Sequence, residues 1–314
     1  MKYTIIVTVY NKEEHLERCL NSVCNQTYKN YKILIVNDGS TDNSEKIIKK
    51  YQKKYKIEYH KKENTGISDT RNYAIEKVET DYFLFVDADD YISLDLLETI
   101  DKYDNYDVLS FNAIKLNQKQ EYVSNMDKIK YQGNGELYFT KLVKNKCEFT
   151  VPWGYIYNTN YFKKHHFRYP KGKILEDYYL TPQIIIECKQ LISIDYYGYY
   201  YCITDNSITT NKDNKQIIKK TYLEYYDIQN KKIEKSNYNP KIKGKYKEFL
   251  VHTLIWYGST LKGKEQKQYI KTIKEKRILN NLENKNYKQK IRNVIIKSLF
   301  MLNMFYPLRK VLKK

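Results

Sequence analysis

The 314-residue sequence lacks paired cysteines, a long apolar run and an internal repeat of solenoid period. Its five cysteines, Cys19, Cys24, Cys147, Cys188 and Cys202, are odd in number and scattered, with no C-x-x-C spacing. That argues against zinc and redox sites and favours a reducing, cytosolic setting. No uninterrupted apolar stretch approaches the ~20 residues that span a bilayer. The opening MKYTIIVTVYNK holds only eight uncharged residues, Tyr3 to Tyr10, before Asn11 and Lys12, and it has no small-residue cleavage site. It reads as a first strand, not a secretory leader. Net charge is also missing from the first two-thirds, where residues 1–210 hold 29 Lys and Arg against 29 Asp and Glu. Residues 211–314 hold 27 against 8, so the whole excess of +19 sits there. A coding bias toward Lys, Asn, Tyr and Ile explains abundant lysine but not this asymmetry. A basic module facing an anionic membrane surface or a polyanion explains both.

What is present is enough for a real core, since 41% of residues are hydrophobic. Short β-rich runs at Tyr3–Val9, Tyr31–Val36, Lys56–His60 and Tyr82–Val86 alternate with segments of helical spacing. Those segments are marked by Leu16, Cys19, Leu20 and Val23, then Ile47, Ile48 and Tyr51, then Ile67, Tyr73, Ala74 and Val78. The alternation predicts an α/β fold, a mainly parallel sheet with helices on both faces. Less regular, mixed sheet is expected from about residue 107, and a helical region follows Asp205. The expected boundary lies near residue 210, between units 1–210 and 211–314.

In such sheets ligands bind beyond the carboxyl ends of the strands, and the chemically unusual residues fall at those ends. Asn37-Asp38-Gly39-Ser40-Thr41-Asp42 ends the second run. A turn and a helix cap account for Gly39 to Asn43 but leave Asp38, which suits the N–H of a nucleobase. After the third run, Gly66 permits a tight turn into a helix that carries Arg71, either solvated or bridging carboxylates or a phosphate. The fourth run ends Asp87-Ala88-Asp89-Asp90. Extended geometry sends Asp87 and Asp89 to one side, suited to Mg²⁺ or Mn²⁺ on a substrate diphosphate, with Asp90 opposite or capping a helix from Ser93. Glu176-Asp177 precedes an apolar helical run and reads as a first-turn pair or as a general base.

Together these stretches resemble the family 2 inverting glycosyltransferases of the GT-A fold. The opening motif is Thr8-Val9-Tyr10-Asn11, with Thr8 where a proline is usual. Asn37 to Asp42 matches the second motif. Asn64, Gly66, Arg71 and Asn72 match the third, although Asp69 and Thr70 replace small residues. Asp87-Ala88-Asp89 matches the D-x-D element and Glu176-Asp177 the late E-D motif. The resemblance covers residues 1 to about 205 and implies a Rossmann-like catalytic domain that binds a nucleotide sugar, followed by a basic helical region. Thr8, Val9, Tyr10, Asn11 and Asp38 are then expected around uracil, and Asn64, Gly66 and Arg71 on the base and ribose side. Asp87 and Ala88 are expected at the ribose or sugar, Asp89 on a Mn²⁺ or Mg²⁺ ion, and Asp177 as the base. Glu176 and Trp153 fall on the acceptor side, the tryptophan as a sugar platform or as core packing.

The activity the resemblance implies is non-processive transfer from a nucleotide sugar, expected to be UDP-linked, to a lipid-linked glycan of capsule, exopolysaccharide or lipooligosaccharide assembly. No Q-x-x-R-W element of a polymerising synthase is present. The alternatives are a protein or teichoic acid acceptor, or a non-catalytic polyanion-binding protein. Nucleic acid is not an expected partner, because the basic region lacks the arginine and glycine content of RNA-binding segments. His165 and His166 are candidates to complete a metal shell. Tyr199-Tyr200-Tyr201 and Asn206-Ser207-Ile208-Thr209 resemble a family segment but receive no role. The stretch Val294 to Lys314 suits either an interfacial anchor or a helix packed on the body, giving a cytoplasmic protein peripheral at the inner face of the membrane.

Overall fold

The computed structural model describes residues 1–204, 214–282 and 287–301. Backbone contacts divide the chain into two compact units, Met1–Asn214 and Lys215–Lys314. The first is built on a ten-stranded sheet whose main path runs β3-β2-β1-β4-β9-β6-β10-β5. Its strands are β1 (Tyr3–Val9), β2 (Tyr31–Asn37), β3 (Ile57–Lys61), β4 (Tyr82–Asp87), β5 (Tyr91–Ile92), β6 (Val108–Leu116), β7 (Tyr122–Met126), β8 (Tyr131–Gly133), β9 (Tyr155–Asn158) and β10 (Leu191–Cys202). The pairs β1/β2, β1/β4, β2/β3 and β6/β10 are parallel. Strand β9 runs antiparallel between β4 and β6 and joins the parallel half to the mixed half.

Helices in the first unit are α1 (Glu13–Cys24), α2 (Ser44–Gln52), α3 (Ile67–Lys77), α4 (Leu96–Ile100), α5 (Gly135–Asn145), α6 (Thr159–Lys164) and α7 (Glu176–Glu187). Strand alternation sorts the core into two layers, because successive side chains point to opposite faces. Ile5, Val7, Ile33, Ile35, Leu84 and Val86 pack with Leu16, Leu20 and Val23 of α1, Ile48 of α2 and Leu96, Leu97 and Ile100 of α4. On the other face Phe83 meets Phe162 of α6 edge-on at 5.2 Å, and Phe85 meets Tyr169 at 6.0 Å. Strands buried on both sides read as apolar runs, which is why β1 and β4 stand out in the sequence.

The second unit is helical: α8 (Lys215–Lys235), α9 (Pro240–Thr260), α10 (Gly263–Glu275), a 3-10 turn Ile278–Asn281 and α11 (Tyr287–Met301). Helix α9 starts cleanly because Pro240 occupies its first turn and the Asn239 side chain accepts the Ile242 N–H at 3.0 Å. Tyr225, Tyr246, Leu250, Leu254, Tyr269 and Ile273 form its interior. Among the described residues no helix is long and apolar enough to cross a membrane. In α11, Ile296 and Phe300 are buried, whereas Val294 and Ile295 are exposed. The rest of the proposed anchor, and the segment Asn206 to Thr209, lie outside the described residues.

Helices α5 and α7 touch where Gly135 lacks a side chain: a Cβ there would lie 1.6 Å from the Ile185 carbonyl oxygen. The Gly135 N–H also donates to the Cys188 carbonyl at 2.7 Å. Gly135→Ala is therefore expected to cost ~3 kcal/mol through forced backbone movement. In thermal denaturation this appears as a fall of roughly 6–12 °C, and a change below ~2 °C would show that the two helices separate freely.

Candidate active site

The strand order 3-2-1-4 reverses between β1 and β4, all of them parallel, and the site forms at the carboxyl ends there. Thr8 lies opposite Asp87 in register, and Val9 lies opposite Asn37. Asp38 is held by its own N–H donating to the Val9 carbonyl at 2.8 Å. Asn11 adopts a left-handed backbone, φ 50°. Its N–H donates to Ser40 Oγ at 3.1 Å, and its Oδ1 accepts the Thr41 N–H at 2.8 Å. Asp42 accepts the Glu13 N–H at the start of α1 at 2.9 Å, and Glu13 accepts the Asn43 N–H at 2.8 Å. The two helix starts thus cap one another across the β1 and β2 ends. Tyr10 projects from this framework with 47% of its surface exposed.

Asp38 is buried and turned toward the loop after β3. Its Oδ1 accepts the Thr65 N–H and its Oδ2 the Gly66 N–H, each at 3.0 Å, and Lys62 pairs with it. Lys62 Nζ also donates to Thr65 Oγ1 at 2.5 Å. The loop carrying Asn64 and Gly66 is therefore folded around Asp38. Gly39 is needed for the approach, having φ 73° and a Cβ position only 2.9 Å from the Asn64 nitrogen.

Arg71 is the central cation. It rises from α3 with 4% exposure, its NH2 donates to Asp87 Oδ1 at 2.9 Å, and its NH1 pairs with Glu176 at the start of α7. The rings of Phe85 and Tyr169 each lie 5.7 Å from its guanidinium carbon. Burial works against its charge, but Asp87 and Glu176 outweigh that and raise its pKa. Asn72 next to it clamps the Tyr169 backbone with two hydrogen bonds, 2.8 Å from its Nδ2 and 2.9 Å to its Oδ1.

The two acids of the E-D pair differ in surroundings. Glu176 is 5% exposed and committed to Arg71. Asp177 is partly exposed, and its pKa is pushed up to about 8 by desolvation and by the charge of Glu176, with Arg71 pulling the other way. Leu175 just before them is left-handed at φ 57°, a costly conformation for a β-substituted residue that aims the first turn of α7.

Asp89 pairs with Lys12 Nζ at 2.5 Å, and its carbonyl accepts from Arg18 NH2 at 2.5 Å. Arg18 also lies 5.1 Å over the Tyr91 ring. His15 stands nearby on the same helix, its pKa lowered by burial and by Arg18. The sequence reading missed Lys12 and Arg18, because two cations among 56 Lys and Arg carry no distinguishing signal.

Contrary to expectation, Asp87 and Asp89 do not share one side: extended geometry stops at Asp87, the chain turns, and Asp87 faces Arg71 while Asp89 faces Lys12. Asp90 does not cap a helix: it is buried, Tyr199 donates to its Oδ2 at 2.7 Å and the Cys202 N–H donates to its Oδ1 at 2.8 Å. Helix α4 begins only at Leu96, after Asp95. Burial, with Asp89 and Asp87 beside it, raises the Asp90 pKa well above the usual range. No grouping for a metal shell is found around His165 and His166 among the described residues. The His165 ring packs 4.7 Å from Tyr161 and 5.3 Å from Phe167. Among the described residues no three His, Cys, Asp or Glu are grouped to hold an ion. Trp153 is 4% exposed and stacks on Tyr199 at 4.4 Å, so packing accounts for its indole. Ala88 is buried between its acidic neighbours.

An open α/β sheet with acids and cations gathered at the carboxyl ends of its strands has the GT-A architecture. Residues 4–189 match the model of glycosyl transferase family 2, and the chain belongs to that family. It is 31% identical over 224 residues to glycosyltransferase GlyA of Streptococcus pneumoniae serotype 4, covering 66% of this chain and 31% of that protein. It is also 31% identical to the poly(ribitol-phosphate) beta-glucosyltransferase of Bacillus spizizenii, over 65% of this chain and 32% of the relative. The chain thus spans about a third of the length of these curated relatives. Residues 1–349 of S. aureus TarS, solved in complex with UDP-GlcNAc, share the fold with a TM-score of 0.73 at 19% identity. That match covers 100% of this chain and 91% of the solved one.

Removing the buried guanidinium strands Glu176 without a counter-ion. Arg71→Met is expected to lose ~3–5 kcal/mol of unfolding free energy, seen as a lower urea midpoint. Arg71→Lys should recover only part of it, since one ammonium cannot reproduce the fork. A midpoint unchanged in Arg71→Met would mean that the acids are not held through this residue.

Proposed function

We propose that this chain is a metal-dependent, inverting, non-processive glycosyltransferase that moves a hexosyl group from a UDP-sugar to an acceptor hydroxyl. The Arg71 bridge carries the reading. It joins Asp87, at a strand end suited to a donor, to the acid pair that opens α7, suited to an acceptor. The UDP-GlcNAc and UDP complexes of TarS support a uridine donor.

In this reading Thr8, Val9, exposed Tyr10 and Asn11 form the wall against the base, and Asp38 shapes the loop of Asn64 and Gly66 around it. Asp87 and Ala88 meet the ribose or sugar, and Arg71 acts through the two carboxylates it holds. Asp89 offers carboxylate oxygens of the kind that suit a hard divalent cation completed by diphosphate oxygens, while Asp87 is turned to Arg71. Asp89 would hold such a Mn²⁺ or Mg²⁺ ion, which supplies positive charge against the departing diphosphate. Lys12 and Arg18 add fixed positive charge at the same turn.

Of the acid pair, Asp177 is the one suited to take the acceptor proton. Glu176 is committed to Arg71, whereas Asp177 is partly exposed and its pKa is pushed up to about 8. A base on the acceptor side and a leaving group on the other give one direct displacement, which inverts the anomeric carbon. Asp177→Asn is expected to lower transfer by at least ~100-fold while UDP affinity stays nearly unchanged; loss of UDP affinity instead would remove Asp177 from the base role. In the parent enzyme kcat/KM should rise with pH through about 8, as Asp177 loses its proton. The sign for stability is opposite: a carboxyl whose folded pKa is raised loses its contribution as pH climbs from ~4 toward the folded value.

The acceptor proposed is a lipid-linked glycan of capsule, exopolysaccharide or lipooligosaccharide assembly. A teichoic acid acceptor is the second reading, favoured by the relatives named for poly(glycerol phosphate) and poly(ribitol-phosphate) and by the basic charge of residues 211–314. Incubating UDP-sugars with Mn²⁺ and each acceptor class separates the two by product. Inactivity with every donor, including donor hydrolysis, would favour a polyanion-binding protein.

The basic region is also proposed to hold the protein at the inner, anionic face of the cell membrane. Flotation with anionic vesicles should carry the full chain upward and leave a chain without residues 290–314 behind. Equal recovery of both in the soluble fraction would remove the anchor.

A further inference from the structure

The run Tyr199-Tyr200-Tyr201, without a role in the sequence reading, lies on β10 against the acidic turn that follows β4. Tyr199 is fully buried. Its hydroxyl donates to Asp90 Oδ2 at 2.7 Å and accepts the backbone N–H of Asp87 at 3.2 Å. One oxygen therefore grips both ends of the turn Asp87-Ala88-Asp89-Asp90. The turn is closed by the Asp90 N–H donating to the Asp87 carbonyl at 2.9 Å. The other carboxyl oxygen of Asp90 takes the Cys202 N–H at 2.8 Å, so the turn is fastened to β10 at two places.

The ring of Tyr199 is itself clamped. Trp153 stacks on it with centroids 4.4 Å apart and planes 4° from parallel, and Tyr201 lies 5.5 Å from the same indole. Gly154, left-handed at φ 71°, gives its carbonyl to Lys128 Nζ at 2.8 Å. Lys128 is buried, donates also to the Phe111 carbonyl at 3.0 Å and sits 3.8 Å over the Tyr155 ring. The lysine nitrogen thus pins the turn that carries Trp153 to β6. A continuous path of contacts runs from Lys128 through Trp153 and Tyr199 to Asp87 and Asp90.

We propose that Tyr199 is a positioning residue for the donor diphosphate site: its hydroxyl sets the turn on which Asp87 and Asp89 stand. The proposal rests on the glycosyltransferase reading above. Asp87 and Asp89 point to different cations, Arg71 and Lys12, so the turn must hold two carboxylates in separate directions. Without the hydroxyl, the Asp87 N–H and one Asp90 oxygen lose their partner in a buried place, and the turn relaxes to satisfy them. The Asp89 carboxylate, near the middle of the turn, moves with it.

The test is UDP binding in the presence of Mn²⁺, measured by calorimetry on the full chain, with melting temperature recorded alongside. Tyr199→Phe is expected to weaken UDP roughly tenfold, the effect of one buried hydrogen bond. The control is Tyr138→Phe, which removes an equally buried hydroxyl bonded to Ser193 Oγ at 2.9 Å. It should lose similar stability and keep UDP affinity within about twofold. A cycle of Tyr199→Phe with Asp89→Asn should be non-additive, because the hydroxyl acts through that carboxylate. Additive losses, or equal UDP affinity in Tyr199→Phe and the parent chain, overturn the proposal. Should Tyr199→Phe not fold, Asp90→Ala removes the acceptor of the same bond and is expected to weaken UDP as much. Failure of the parent chain to bind UDP or any other nucleotide overturns the functional reading along with the proposal. UDP bound by the parent and lost in neither variant overturns the proposal alone.

Discussion

The buried guanidinium of Arg71 organises the first unit. Arg71 stands between Asp87 at the end of a strand and Glu176 at the start of a helix 105 residues later in sequence. Burying a guanidinium is costly unless charge and hydrogen bonds compensate it, and here both do. The arrangement is therefore conditional: strand β4, helix α3 and helix α7 have to meet correctly for any of the three charges to be tolerable. Because a buried ion pair is weak evidence of net stability, its value lies in fixing where the carboxylates stand.

That constraint lets six acids take distinct parts. Asp38 is spent on the Thr65 and Gly66 N–H groups and shapes a loop. Asp90 is buried under Tyr199 and ties the acidic turn to β10. Glu176 answers Arg71, and Asp177 next to it is left with a raised pKa by desolvation and by its neighbour. Asp87 and Asp89, set at one turn, face different cations. Carboxylates this close differ in protonation and reach because their surroundings differ.

The motif residues and the α/β order were legible in the sequence because they follow local rules. Apolar runs mark strands buried on both faces, and short polar stretches with glycine mark the turns after them. Asp87 and Asp89 could be picked out in the same way. The role of Asp90 could not: its partners, Tyr199 and Cys202, lie more than 100 residues away. Lys12 and Arg18 were hidden by the abundance of lysine, and nothing in the sequence placed Lys62 on Asp38. Trp153 offered two readings in the sequence, and the structure shows it packed against Tyr199.

By itself, the sequence determined the family, the run of strands and helices and the set of acids at strand ends, since each is written in local spacing. Only the tertiary structure decided which cation answers which acid, which of the adjacent pair Glu176 and Asp177 is committed, and that Asp90 is a tether. Those outcomes depend on burial and on partners brought together by the crossing of β4, α3, α7 and β10. Desolvation and distance set the charge of a carboxylate, and neither exists until the chain is folded.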